Sequence, residues 1–146
     1  MSQSWSGLGE LLFPSLPEVE VVRADVSGPV VRVEARSVVG GASCPSCGGF
    51  SDRVHGPYLR HPSDLPSCGR PVVLALRVRR FVCPISSCSR RTFVEQITGL
   101  TRRHGQVTER QRSGVTGLGL ALAGRAGARM AVLLGAVPPV ALCCDG

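Results

Sequence analysis

The sequence predicts a small α+β protein in which strands come first and a short helical segment follows. Three observations carry this. Residues 30–39 alternate apolar and polar side chains with period two, and in residues 72–82 Val72, Leu74, Leu76 and Val78 fall on one face, the signature of strands with a buried face. Two cysteine pairs, Cys44/Cys47 and Cys83/Cys88, each close a predicted strand, with thirty-five residues between Cys47 and Cys83. Beyond Cys88 the apolar spacing changes to that of helices, at about Gln106–Leu122 and at Arg125–Leu134. Strands grouped ahead of helices indicate segregated layers, not alternating β-α-β units.

Taken in order, residues 1–17 read as a loosely ordered lead with a short helical turn around Leu8–Phe13. Glu18–Val26 and Val30–Val39 are β-like runs separated by Ser-Gly-Pro; in the second, Val31, Val33 and Ala35 alternate with Arg32, Glu34 and Arg36. CPSCGG is a tight turn, Ser51–Arg60 a further strand, and HPSDLPSCGRP a loop rich in turn formers. Val72–Val82 is the strongest strand, with Val72, Leu74, Leu76 and Val78 on one face and Arg77, Arg79 and Phe81 on the other. Glycines interrupt the first helical stretch, and Gly135 is placed to end the second.

Charge is unevenly spread. All seventeen basic residues are arginine and the net charge is +7. Residues 1–52 carry a balance of −3, while residues 53–129 hold fourteen arginines against Asp64, Glu95 and Glu109, a balance of +11. A surplus so confined is the electrostatic footprint of a polyanion partner; the competing reading is a solvated basic surface. One Trp, one Tyr and four Phe are too few for a base-stacking platform for single strands. The N-terminus has no basic region of a signal peptide. The apolar stretch near 130–142, broken by Pro138 and Pro139, is too short to span a bilayer. No membrane association is expected, and the location indicated is cytoplasmic.

In such a location seven cysteines indicate metal or redox chemistry before structural disulfides. Two thiolates at i and i+3 in a turn can grip one metal, and Gly48 permits the positive φ that the turn wants. Cys44, Cys47, Cys83 and Cys88 together would make the tetrahedral four-sulfur site of a zinc ribbon, with Zn2+ as cofactor. The alternatives are an iron–sulfur cluster, buried free thiols, or a thioredoxin-like redox pair; the last is disfavoured because Gly48-Gly49 is a poor helix start. Cys68, Cys143 and Cys144 are read as outside the site, and His55 and His61 as structural or exposed.

Arginines frame this constellation. Arg77, Arg79 and Arg80 precede Cys83; Arg90 and Arg91 follow Cys88; Arg102 and Arg103 lead into the helices; Arg125 and Arg129 share one helix face. The guanidinium fork suits phosphates and guanine edges, so these nine are candidate contacts to double-stranded DNA.

The order CPSCG, RVHGPYLRHPSDLP, VVLALRVRRFVCPISSCSRRTFVEQ resembles the N-terminal zinc-finger region of the ISL-three-type insertion-sequence transposases. GLALAGRAGARMAVLLG resembles the helix-turn-helix that follows it, and the similarity covers about residues 40–135. The resemblance implies that Cys44, Cys47, Cys83 and Cys88 hold metal, that Arg125–Leu134 is the first helix of a helix-turn-helix, and that the partner is the element's terminal repeats. In that family an RNase-H-like catalytic domain with metal-binding carboxylates follows. Here AVPPVALCCDG stands where a polar recognition helix is expected, so a truncated, degenerate tail is expected. Three units result: a lead and β segment at 1–39, a zinc-ribbon domain at 40–98, and a partial helix-turn-helix at 99–146. The expected function is DNA binding at insertion-element ends, in the bacterial nucleoid, with no catalytic residues and no enzymatic activity. The alternatives are a regulatory fragment that competes or associates with intact transposase or itself, a zinc-ribbon protein-interaction module, and a thiol oxidoreductase.

Overall fold

The computed structural model describes residues 7–122 and 125–134. They form a mixed fold, mostly strand with a small helical part. After the short helix α1 (Leu8–Leu12) come β1 (Val19–Asp25) and β2 (Val31–Ser37), an antiparallel pair. One short hairpin follows, β3 (Ala42–Ser43) with β4 (Phe50–Ser51), and then come β5 (Val54–Arg60) and β6 (Ser63–Ser67), each of which pairs with β7. The thirteen-residue β7 (Arg70–Val82) and β8 (Thr92–Val94) complete the strands, and α2 (Glu109–Ala121) and α3 (Arg125–Leu133) end the described chain.

β7 is the axis of the six-stranded sheet. Its residues 72–77 pair in parallel with β2, and 80–82 pair with β8 along the same edge. The opposite edge carries β6 near its start and β5 over 76–81. The sheet therefore draws its strands from between residues 19 and 94, while β3 and β4 form a separate two-stranded sheet. Val72, Leu74, Leu76 and Val78 are buried on one face, as the alternation predicts, together with Val19, Val21, Val31, Val33 and Ala35. Ile97, Leu100 and Phe13 close over this core, with Leu8, Leu12 and Leu16 packed at its margin. Phe81, on the other face, is fully buried in a second, smaller core with Phe93 and Cys44. Its ring centroid lies 5.9 Å from that of Phe93.

Ser63–Ser67 is a strand where turn-forming composition predicts a loop. Ser63 and Asp64 find backbone partners in Val73 and Val72, and Cys68 (φ 51°) and Gly69 (φ 72°) form the tight turn into β7. Left-handed residues at both central positions match the twist of a two-residue hairpin. The helical stretches fall where the spacing puts them. Thr108 caps α2, its hydroxyl accepting from the Gln111 N–H at 3.2 Å. α3 packs on α2 where a side chain at Gly127 would meet the Leu118 carbonyl at 3.0 Å. A helix-turn-helix is not established by this pair, and the tail from Gly135 onward lies outside the described residues.

Candidate metal centre and its arginine surround

Each cysteine pair sits in the turn of its own hairpin: Cys44 and Cys47 between β3 and β4, Cys83 and Cys88 between β7 and β8. Backbone hydrogen bonds shape the first turn, from Cys44 N–H to Gly49 O at 2.9 Å and from Gly48 N–H to Cys44 O at 2.8 Å. Gly48 takes φ 74°, a conformation that would strain other residues. In the second turn Cys83 N–H donates to Arg91 O, Cys88 N–H to Ile85 O, and Arg90 N–H to Cys88 Sγ at 3.4 Å. The turns close on each other at Gly49, where an added Cβ would lie 3.1 Å from both Pro84 and Ile85.

The four sulfurs lie within 4.8 Å of one another, with Cys47–Cys83 at 3.5 Å and Cys44–Cys88 at 4.0 Å. A tetrahedron with metal–sulfur bonds of about 2.3 Å has edges of about 3.8 Å, so one ion fits between them without rearranging the backbone. Cys44 is buried and Cys47 exposed. Burial pushes the Cys44 thiol up. The Cys47 and Ser46 N–H groups and the neighbouring thiols outweigh it, and the thiol ends at about 7. Cys83 is pushed up to about 12, by burial first and then by the thiols around it. A cation held by the four sulfurs would replace the protons that remain on them. His55, His61 and Cys68 stand apart from this cluster, and Cys143 and Cys144 lie outside the described residues.

The nine arginines separate into different environments. Arg79 is committed internally. It donates from Nε and Nη2 to Glu95 at 3.2 and 3.0 Å and from Nη2 to the Val39 carbonyl, and it stacks 5.0 Å from the Phe81 ring centre. Glu95 is buried, and its Oε1 also accepts from the Arg79 N–H at 2.7 Å. Arg102 pairs with Glu109 at 2.6 Å on the surface. Arg80 lies 5.5 Å over the Tyr58 ring, and Arg90 Nε donates to Ser46 Oγ at 2.6 Å, linking the two cysteine turns. Arg77, Arg91, Arg103, Arg125 and Arg129 are exposed.

Two further arginines carry structure. Arg110 grips the buried Asp64, donates to the Leu12 carbonyl and stacks 4.9 Å from the Phe13 ring centre. Arg60 donates to Thr101 Oγ1, Arg102 O and Gly105 O at 2.8–3.0 Å. Both roles join residues more than forty positions apart, so local spacing holds no sign of them. All three acids of the basic half are thus paired with arginine: Asp64 with Arg110, Glu95 with Arg79, Glu109 with Arg102.

Residues 41–88 match the family model of the zinc-finger of transposase IS204/IS1001/IS1096/IS1165. The matched span opens just before β3 and ends on Cys88, so it contains all four sulfurs and the two turns that carry them. No curated protein and no solved structure matches the chain. Among the described residues no helix is long and apolar enough to cross a membrane.

Proposed function

We propose that this chain is a zinc-stabilised DNA-binding module of the kind that recognises insertion-element ends, and that strand chemistry belongs to other residues than these. The observation that carries the reading is a four-thiolate cluster, within the span matched to a transposase zinc finger, set among arginines whose local acids are already neutralised. Zinc suits the donor set. It is borderline-soft, redox-inert and content with four thiolates, and closed tetrahedral sites of this type are structural. Double-stranded DNA suits the surplus, because phosphates are what unpaired guanidinium forks bind best.

The acids support the second half of the proposal. Phosphoryl transfer by a two-metal site needs carboxylates converging on two ions about 4 Å apart. Asp64, Glu95 and Glu109 are instead each held by an arginine at a different place in the fold. A related reading, association with another copy or with intact transposase, is favoured by one feature: Leu120, Val132 and Leu133 are well exposed on α2 and α3.

Fluorescence anisotropy with duplexes carrying the element's ends, against random duplexes, tests the reading. Affinity should fall by orders of magnitude between about 50 and 200 mM salt. Binding that ignores salt, or no binding at all, overturns it.

A further inference from the structure

Past Val78, on the face of β7 that buries the main core, the sheet opens into a cleft of about 410 Å3. Arg60, Arg80, Arg90 and Arg103 line it with Tyr58 and His104. No carboxylate lines it, and no ion pair among the described residues includes any of these four arginines. Four full charges gathered without a counter-ion repel one another, which is unfavourable unless an anion comes to sit among them.

Three of the four are already oriented, and by neutral groups. Arg60 is held by Thr101 Oγ1 and two backbone carbonyls, Arg80 lies over the Tyr58 ring, and Arg90 is anchored to Ser46. Neutral partners fix a guanidinium without cancelling its charge, so little side-chain entropy remains to be lost on binding. The volume falls within the range of about 300–1,000 Å3 found for ligand sites, more than a single small anion fills. One wall belongs to the cysteine turns, through Pro45 and Arg90, and the other to the 102–105 connection, through Arg103 and His104.

We propose that this cleft is a phosphate-binding site that takes successive phosphates of one nucleic-acid strand, passed between the cysteine turns and the Arg103–His104 connection. This rests on the DNA-binding reading and gives it a location. It assigns the principal contact to Arg60, Arg80, Arg90 and Arg103, and withdraws Arg79 from it.

The test compares Arg80→Ala/Arg103→Ala with Arg23→Ala/Arg32→Ala, which removes two exposed charges on β1 and β2, away from the cleft. Binding of a duplex of about 20 base pairs is followed by anisotropy across the salt range, with unchanged zinc content and circular dichroism as the condition for reading either variant. The cleft variant should lose roughly 1.8 from the slope of log affinity against log salt and bind about tenfold or more weakly. The distant variant should keep the parent slope. An Arg80→Lys variant should retain most of it. Equal competition by a short strand with and without a 5′-phosphate supports successive backbone phosphates as the occupant; competition by the 5′-phosphorylated strand well beyond its unphosphorylated counterpart overturns that assignment in favour of a terminal phosphate. A cleft variant with the parent slope, or equal losses in both double variants, overturns the proposal. Should the parent chain bind no duplex, the functional reading fails alone if inorganic pyrophosphate still shifts the Nε–Hε resonances of Arg80 and Arg103 in NMR spectra. Unmoved resonances would remove the cleft as well.

Discussion

Arg79 and Arg80 are neighbours in sequence and differ in surroundings, Arg79 paired with the buried Glu95 and Arg80 lying over the Tyr58 ring. Both read as DNA contacts from the cluster before Cys83, because nothing nearby in the chain announces Glu95, sixteen residues on, as the partner of Arg79. Strand alternation sends Arg79 to the face with the second core and Arg80 to the cleft. Single substitutions should therefore separate. Arg79→Ala strands a buried carboxylate and is expected to cost about 3 kcal/mol, the low end for a broken buried pair because Arg79 itself is partly exposed. Its DNA affinity per folded molecule should stay close to the parent value. Arg80→Ala should leave the melting temperature within a degree or two and weaken DNA binding. Calorimetry and anisotropy on the two variants check this, and the reverse pattern would exchange their roles. The cysteines were legible for the contrary reason: a metal turn is specified within four to six residues, so spacing alone contains the geometry. A Cys47→Ser variant should bind no zinc at stoichiometric concentration, and elemental analysis after gel filtration measures it directly. One retained zinc per chain would displace Cys47 from the ligand set.

Elements were legible where hydrophobic period and burial agree, and hidden where a polar residue occupies a buried position. β7 shows the first case. β6 shows the second: its buried residue is Asp64, and its surroundings of Ser, Pro and Gly look like a loop. It becomes a strand because β7 offers an open edge and because Asp64 is fully satisfied there, accepting from Thr108 Oγ1 and Arg110 Nε at 2.7 Å each. The same carboxylate holds the start of α2. That helix contains Gly114, Gly117 and Gly119, each worth up to about 1 kcal/mol against helix formation relative to alanine. It depends on its Thr108 cap and on docking against β6, where an added Cβ at Gly114 would stand 3.2 Å from Leu65. Asp64→Ala is accordingly expected to destabilise by about 3 kcal/mol or more and to loosen α2 before the sheet. Amide exchange should speed up first across 109–121. Protection of α2 equal to the parent's would show that apolar contacts alone dock it.

At the scale of the molecule, one strand serves two cores. Val72, Leu74, Leu76 and Val78 of β7 are buried in the main core, which contains none of the four clustered cysteines. Phe81 belongs to the small core, where Phe93 and Cys44 are its buried companions and Cys83 and Cys88 pack at the edge. Among the described residues three are buried in the small core, too few to fold by burial alone, so this end should depend on metal, while the main core, with twelve, should not. Composition could not reveal this division, because the long run of β7 reads as one uniform strand and the parallel pairing with β2 joins segments far apart in sequence. The expected behaviour is graded. Stripping the metal with a strong chelator near neutral pH should expose amides of 42–51 and 83–93 to exchange within seconds to minutes. Val72–Val78 and its partners in β2 should stay protected for far longer. Because the cleft takes one wall from the cysteine turns, DNA affinity should fall in step with loss of the metal end, while the far-ultraviolet spectrum keeps most of its strand signal. Readding zinc should restore both. Loss of protection across the whole sheet on chelation would show that the two cores fold as a single unit. Full protection of the cysteine turns without metal would show that the ion is dispensable to them.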